Sequence, residues 1–410
     1  MSSGNLAILN GRIVDPVAGT ITTGGVLIRD RHIAAVGKFE IPAIVETIDA
    51  KGAHIAPGLV DLGCFRVDMP AFAAGGITRA ALMPDQAPVL DHAAMVQWAA
   101  AAGKPDVWIH PIAAATKALG GTELAEIGLM KAAGACAVAT GRSWIADSGV
   151  MHRLLGYARA LDMLVIAHAE DGGLTAGATA TEGETATRLG LAAAPAIAEA
   201  MAVARDIMLA EANGARLHFR QLTTAAAFDL VRAAKKRGVA VTCGISPAHL
   251  LLSDIEMSGF RTFARLSPPL RDADDRKAAL AAIADGTIDV ICSSHDPKGP
   301  EAKRLPFADA EDGMSGAETL LTLSLTLVRD GLLTLPALIA LLSTEPARLL
   351  GISGGTLSMG AEADLILFDP DKPWKIDSDR MAGSAGNTPF DGLPVQGRVL
   401  RTIKGGVPVS

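Results

Sequence analysis

The stretch Ala56-Pro-Gly-Leu-Val-Asp-Leu-Gly-Cys-Phe-Arg66 contains the first of a series of strand-like segments in the middle of the chain. Its apolar run, Gly58–Phe65, is a candidate buried strand. Seven further candidate strands follow: Thr78–Met83, Val107–Ile112, Ala135–Ala139, Leu164–His168, Arg216–Gln221, Ala240–Ile245 and Ile288–Ser293. Segments of helical period lie between them, such as Ala194–Ala212 and Phe228–Arg237. Eight strands with intervening helices over about 290 residues predict an α/β protein, a (β/α)8 barrel.

A doubly wound open sheet is the alternative architecture for the same alternation of strands and helices. No GxGxxG motif follows the first candidate strand, which argues against a dinucleotide site. Both ends of the chain, in contrast, read as short strands without a long helical period, as in Ala363–Pro370. The two ends could therefore pair into one small domain, into which the middle of the chain is inserted.

Composition and charge exclude several classes of protein. The chain has 410 residues, of which 50% are hydrophobic and 20% charged, so it is not a disordered or fibrous protein. Its formal net charge of −7 argues against a nucleic-acid or anionic-membrane partner. The four cysteines form no CxxC pair, and no apolar stretch reaches the about 20 residues of a membrane span. We expect a soluble, cytoplasmic protein.

Six groups of motifs keep a common order along most of the chain. They are Ala56-Pro-Gly-Leu-Val-Asp61, Gly75-Gly-Ile-Thr78 with Met83-Pro-Asp-Gln-Ala-Pro88, His168-Ala-Glu-Asp171, Ser267-Pro-Pro-Leu-Arg271, Asp285-Gly-Thr-Ile-Asp289 with Ser293-Ser-His-Asp-Pro297, and Gly355-Thr-Leu-Ser-Met-Gly-Ala-Glu-Ala-Asp364. Each group resembles the corresponding segment of the dihydroorotases, which belong to the amidohydrolase superfamily. Any single motif would be weak, but the order and spacing of the set make the resemblance specific.

The resemblance implies a (β/α)8 TIM barrel of the amidohydrolase type at residues 55–352. Both termini, residues 1–54 and 353–410, are then expected to form a small β-sandwich. Active members of the family bind one or two zinc ions and cyclise carbamoyl aspartate to dihydroorotate, or reverse that reaction. Zinc lowers the pKa of a bound water to about 7 and polarises the carbonyl group. An Asp on the last strand then shuttles the proton.

The positions that match the family's metal ligands carry residues that are unsuited to zinc. The resemblance places these positions at Gly63 and Phe65 on the first strand, Thr140 and Gly141 after the fourth, His168 on the fifth and Gln221 on the sixth. Only His168 is a zinc-ligand residue type, and a catalytic zinc normally has three protein ligands. We therefore predict that the chain holds no metal and needs no cofactor, although zinc is present in active relatives.

The catalytic and substrate-binding positions are altered as well. The Asp that acts as base in the family is replaced by Ser294, beside His295, so we expect no catalytic residue and interpret both as remnants of the motif. Arg66 lies one residue before the position of the family's substrate arginine, and such a slip reverses side-chain direction on a strand. Asp85 would repel a dicarboxylate substrate, and Ser267 replaces the Asn before the Pro-Pro-Leu-Arg motif.

Three functions are compatible with these departures. The first is a catalytically inactive, dihydroorotase-like protein of pyrimidine biosynthesis that supports the assembly of the aspartate transcarbamoylase catalytic chain, in a homo- or hetero-oligomer. The second is an active zinc-dependent cyclic amidohydrolase whose ligands come from unmatched places, for example the thiols of Cys243 and Cys292 with His168. Buried cysteines more often serve in packing, which disfavours that site. The third is a small-molecule sensor, which no feature of the sequence singles out.

Overall fold

A computed structural model describes residues 5–43 and 45–409 of the chain. Its strands are β1 (Leu6–Asp15), β2 (Thr20–Arg29), β3 (His32–Gly37), β4 (Glu46–Asp49), β5 (His54–Pro57), β6 (Leu59–Cys64), β7 (Ile77–Leu82), β8 (Trp108–Ala114), β9 (Ala137–Ala139), β10 (Leu164–Ala167), β11 (Ala180–Thr181), β12 (Ala193–Ala194), β13 (Leu217–Phe219), β14 (Val241–Ile245), β15 (Val290–Ile291), β16 (Leu365–Lys375), β17 (Pro394–Lys404) and β18 (Val407–Val409).

The helices follow most of the central strands. They are α1 (Met69–Gly75), α2 (Ala93–Ala101), α3 (Ile127–Ala132), α4 (Ser148–Ala160), α5 (Gly172–Thr175), α6 (Glu184–Leu189), α7 (Ile197–Asn213), α8 (Ala225–Lys236), α9 (Pro247–Leu251), α10 (Ala273–Ala284), α11 (Pro300–Lys303), α12 (Leu320–Arg329), α13 (Leu335–Ile339) and α14 (Glu345–Leu350). The helices predicted at Ala194–Ala212 and Phe228–Arg237 correspond to α7 and α8. Among the described residues, no helix has both the length and the apolar character that crossing a membrane requires.

The eight predicted central strands form a parallel barrel. β6, β7, β8, β9, β10, β13, β14 and β15 are neighbours in this order, and β11 and β12 form a separate pair between β10 and β13 in the chain. The two ends of this sheet meet where the Phe65 amide donates to the His295 carbonyl oxygen at 2.9 Å. Asp61 accepts a hydrogen bond from the Ser293 amide at 2.8 Å across the same junction. The predicted (β/α)8 fold is confirmed, and the doubly wound alternative is wrong because its strand order would not be sequential.

Alternate residues of each barrel strand face two different apolar cores, as the two-residue period of a strand requires. Val165 and Leu217 belong to the core between the strands and the helices, whereas Leu164 and Ile166 belong to the core inside the barrel. Cys292 also faces the inside. This alternation decides which side chains reach the barrel mouth.

Both ends of the chain join one sheet of eight strands, in the order β18-β17-β16-β5-β1-β2-β3, with β4 paired to β1. Its apolar core, which includes Ile8, Val26 and Leu365, is separate from those of the barrel. β5 pairs with β1 and β16, so this strand crosses the predicted boundary between residues 54 and 55. The division into domains stays a prediction, and residues 1–4, 44 and 410 of the predicted sandwich lie outside the described residues.

Local sequence explains why the outer helices form and how they dock. In α8, the Thr224 side chain accepts a hydrogen bond from the Ala227 amide and caps the first turn. Lys235 lies in the last turn, where the helix dipole favours a cation. Phe228 and Val231 are buried, and their spacing of three residues places both on the face that packs against the barrel.

We expect Asp61→Ala to weaken barrel closure, because the Ser293 amide and hydroxyl both donate to this buried carboxylate. Two buried donors without an acceptor should lower the free energy of unfolding by about 2–3 kcal/mol in urea titrations. The matched control is Asp229→Ala, which removes an exposed ion pair with Arg232 and should change it by less than about 1 kcal/mol. Equal effects of the two substitutions would contradict the role of Asp61.

Candidate functional site

The carboxyl ends of the barrel strands surround a very small cavity. Its volume is about 20 Å³, and its lining includes Phe65, Arg142, Arg220, Gln221 and Ser294. Pockets that bind small molecules usually measure about 300–1,000 Å³. The mouth of this barrel is therefore filled mainly by the protein's own side chains.

Phe65 lies among the side chains that fill the mouth, beside Arg142 and Arg220. The Arg142 guanidinium carbon lies 3.7 Å from the centroid of the Phe65 ring, and that of Arg220 lies 5.0 Å from it. Both distances are typical of cation–π contacts. A predicted metal-ligand position is thus occupied by an aromatic ring, and the positive charges of Arg142 and Arg220 lie against that ring.

Gly63, the other predicted first-strand position, has a backbone conformation that favours glycine. Its φ is +148°, and the pairing of β6 with β7 shifts register around it. A Cβ atom built here would lie 3.5 Å from the Cys292 Sγ atom and 3.9 Å from the Arg220 Cγ atom. Residue 63 therefore faces the barrel interior, and a side chain at this position would combine backbone strain with contacts to Arg220 and Cys292.

The end of the fourth strand serves in backbone contacts. The Thr140 hydroxyl accepts a hydrogen bond from the His168 amide at 3.0 Å. Gly141 has a φ of +78°, and a Cβ atom there would lie 2.9 Å from Asp85 Oδ1. That same Asp85 oxygen accepts from the Arg142 amide at 2.9 Å. Asp85 thereby anchors the turn that contains Thr140 and Gly141, the two predicted positions after the fourth strand.

His168 lies between a carboxylate and a guanidinium. Its Nε2 atom is 3.4 Å from Glu170 Oε2, and its Nδ1 atom is 3.5 Å from Arg220 Nη2. Arg271 Nη2 donates to Glu170 at 2.8 Å. Burial alone would raise the pKa of Glu170, but the hydrogen bond from His168 and the charge of Arg271 outweigh it and lower the pKa to about 2. Glu170 is therefore an ion-pair partner at neutral pH.

Gln221, the predicted sixth-strand position, belongs to a chain of hydrogen bonds. The Ser294 hydroxyl donates to Gln221 Oε1 at 2.8 Å, and Gln221 Nε2 donates to His249 Nδ1 at 2.6 Å. His249 Nε2 then donates to the Pro268 carbonyl oxygen at 3.0 Å. Burial lowers the pKa of His249 to about 4, and the neutral ring is the form that can accept and donate in this way.

The remaining predicted positions separate in space. His295 points away from Ser294: its Nε2 atom lies 3.5 Å from Asp68 Oδ2, and its Nδ1 accepts from the Ala317 amide at 3.3 Å. Ser267 lines the cavity, whereas Arg66 is exposed. The structure therefore brings Phe65, Gln221, Ser267 and Ser294 together, with His168 reached through Arg220, and leaves Arg66 and His295 outside.

Comparison with known proteins identifies the family of this chain. A family model described as dihydro-orotase-like matches residues 54–226. A dihydroorotase of Pelobacter propionicus is 38% identical over 417 residues, covering 98% of both chains. A dihydroorotase of Pelotomaculum thermopropionicum is 42% identical over 416 residues, covering 98% of this chain and 97% of the relative. The chain belongs to the dihydroorotase family.

Solved structures share the whole architecture of this dihydroorotase family member. L-hydantoinase (dihydropyrimidinase) from Arthrobacter aurescens superposes with a TM-score of 0.88 at 25% identity, covering 99% of this chain and 96% of the enzyme. Dihydropyrimidinase from Brevibacillus agri gives a TM-score of 0.85 at 23% identity, covering 99% and 95%. The second likeness shows the fold alone, which is the amidohydrolase-type barrel predicted from the sequence.

The residues at the barrel mouth do not fit a zinc ion. In residues 5–43 and 45–409, no group of three or more His, Cys, Asp or Glu is arranged to hold a metal. Cys243 faces the outer core, whereas Cys292 faces the inner one, so the alternative thiolate site is not assembled. His168 alone has a ligand atom at the matched positions, and it contacts Glu170 and Arg220. That the chain needs no metal or cofactor stays a prediction.

Arg142 and Arg220 line the mouth and contact the Phe65 ring, although neither was predicted as a site residue. A signal for Arg220 was nevertheless present in the sequence. Leu217 and Phe219 of β13 face the outer core, and strand alternation then directs the residue after Phe219 inward. The resemblance to the family points to the next position, Gln221, instead.

We expect the free energy of unfolding to fall as pH falls from 6.5 towards about 4, the pKa to which burial lowers His249. A histidine that is neutral when folded takes up its proton on unfolding, so each contributes a slope of up to about 1.4 kcal/mol per pH unit. His249→Asn should make the slope shallower in urea titrations. The control Val231→Ala should lower the free energy at every pH without changing the slope, and an unchanged slope in His249→Asn would refute the assignment.

Proposed function

We propose that this member of the dihydroorotase family is catalytically inactive and acts in pyrimidine biosynthesis as a structural partner of the aspartate transcarbamoylase catalytic chain. The observation that carries the proposal is the Phe65 ring at a position that matches a metal ligand of the family, with the Arg220 guanidinium carbon 5.0 Å from its centroid. A guanidinium stays protonated at all physiological pH values. A divalent cation at the same place would meet its positive charge.

The chemistry of the family depends on groups that this chain lacks at the matched positions. Opening a cyclic amide needs an activated water and a proton acceptor. Ser294 replaces the carboxylate base, and its hydroxyl donates to Gln221. Gln221 separates Ser294 from the imidazole of His249, so the serine has no adjacent base.

The size of the mouth supports the same conclusion. A cavity of about 20 Å³ is close to the volume that a single water molecule needs. A ring such as that of dihydroorotate requires the larger pockets typical of ligand sites. Phe65 and the two arginines would have to move before such a ring could enter.

A structural role requires a stable barrel and a surface for a partner. Away from the mouth, the buried Glu199 carboxylate ties α7 to the start of α8, because it accepts hydrogen bonds from the amides and hydroxyls of Thr223 and Thr224. On α7, Ile197 and Met208 are more than half exposed, at 53% and 69%. Their spacing, with the exposed Met201 between them, places these apolar side chains on one helix face. Such a face is suited to a protein partner.

An active cyclic amidohydrolase with a non-standard site is the second candidate. The observation that favours it is the name dihydroorotase, given to relatives that are 37–42% identical along 97–98% of this chain. This candidate needs ligands beyond those that the barrel mouth provides.

Metal analysis and turnover of the purified full-length chain separate the two candidates. We expect no stoichiometric zinc, no hydrolysis of dihydroorotate with or without added zinc, and stable co-purification with aspartate transcarbamoylase. The Pelotomaculum thermopropionicum relative, prepared in the same way, is the positive control for the assay. Bound zinc together with turnover would establish the active candidate and overturn the proposal.

We also expect that Gly63→His combined with Phe65→His does not create zinc-dependent hydrolysis. Arg220 remains beside the new imidazoles, and Gln221 and Ser294 still provide neither a ligand nor a base. The variant is assayed with dihydroorotate and zinc after circular dichroism has confirmed its fold. Measurable zinc-dependent turnover by this variant would refute the expectation.

A further inference from the structure

Three arginine side chains are buried among the described residues: Arg79, Arg220 and Arg271. Arg79 forms ion pairs with Glu362 and Asp364. Arg271 forms ion pairs with Glu170 and Glu199. In the described part of the chain, no carboxylate oxygen lies within 4.0 Å of a side-chain nitrogen of Arg220. Arg220 is therefore a buried cation without a direct counter-ion from those residues.

The hydrogen bonds of Arg220 are also incomplete. A guanidinium offers five N–H donors. One contact, from Nη2 to His168 Nδ1 at 3.5 Å, is at the limit of a hydrogen bond, and Nε is buried without an acceptor in residues 5–43 and 45–409. A buried charge that lacks an ion pair and has an unpaired N–H donor is unfavourable, so such a group calls for an additional acceptor.

The neighbouring carboxylates are engaged elsewhere. Asp296 lines the cavity, but it pairs with Arg142 at 2.6 Å and lies 3.4 Å from the Lys298 ammonium. Glu170 is taken by His168 and Arg271. Asp85 accepts from the Arg142 amide, and its Oδ2 atom is buried without a donor in the described residues. A bridging water between Asp85 and Arg220 is therefore the competing explanation.

The cavity beside Arg220 limits what the acceptor can be. Its volume of about 20 Å³ suits an occupant the size of one water molecule. A halide ion is close to that size, whereas phosphate, bicarbonate and carboxylate groups are larger. Arg142 and Gln221 line the same cavity and carry further N–H groups.

We propose that the barrel mouth binds a small monovalent anion, chloride, which the Arg220 guanidinium holds beside Gly63 and Phe65, two positions that match the family's metal ligands. The inference rests on the proposed function to the extent that a bound zinc would exclude it. It goes beyond that function because it assigns a ligand class to the remodelled mouth. The anion supplies the counter-charge that Arg79 and Arg271 obtain from carboxylates.

Thermal unfolding of the full-length chain in chloride and in gluconate, at matched ionic strength, tests the proposal. Chloride should raise Tm saturably, by about 1–3 °C at a tenfold excess over Kd. Arg220→Met should abolish the difference between the two salts. The control Arg398→Met removes a guanidinium that stacks on Trp374 outside the barrel and should keep it. Equal Tm values in the two salts for the unsubstituted chain would overturn the proposal.

A second measurement uses the unsubstituted protein, in case Arg220→Met does not fold. Crystals grown in bromide should show an anomalous peak in the cavity beside Arg220. Absence of the peak, with a water bridging Arg220 and Asp85, would overturn the proposal. A peak without any chloride effect in solution would count as binding at crystal concentration only and would overturn it as well.

Zinc analysis of the same preparation separates the two possible failures. Zinc at the barrel mouth with dihydroorotate turnover would overturn both the proposed function and the anion site. A zinc-free, inactive protein whose Tm is the same in chloride and gluconate would overturn the anion site alone.

Discussion

Closure of the barrel is the constraint on which the rest of the structure depends. The Phe65 amide donates to the His295 carbonyl oxygen, and Asp61 accepts from Ser293 across the same junction. These contacts join the first barrel strand to the last, so the carboxyl ends of all eight strands form one ring. They also set which residues alternate inward. Phe65 is thereby held at the mouth, and the other side chains of the mouth pack around it.

The charged groups at the mouth are arranged around the Phe65 ring. A metal centre gathers carboxylates and imidazoles around a removable cation, whereas here the cations belong to the chain itself. Arg142 and Arg220 lie against the Phe65 ring, and Arg271 holds Glu170 and Glu199. His168 remains as part of this network through its contacts with Glu170 and Arg220. The one matched position with a zinc-ligand residue type is thus a member of a set of buried polar contacts.

Much of this architecture could be predicted, because strand periodicity and ordered motifs are local properties of the sequence. The eight strands and the inward position of Gly63 follow from such patterns. The contact between Arg142 and Phe65 does not, because it joins residues 77 positions apart and depends on how two turns meet. The φ of Gly63 and the cavity volume likewise require coordinates, since neither leaves a mark in residue type alone.

The backbone conformation of Gly63 makes the proposed loss of a metal ligand at this position hard to reverse. A return to histidine at this position costs about 1–3 kcal/mol in backbone strain at a φ of +148°. No metal can compensate for that cost while Gln221 and Ser294 occupy the other positions. A path towards a metal site that starts at residue 63 therefore begins with a less stable protein that gains no ligand set. Reversion at residue 63 would therefore require other positions of the mouth to change first.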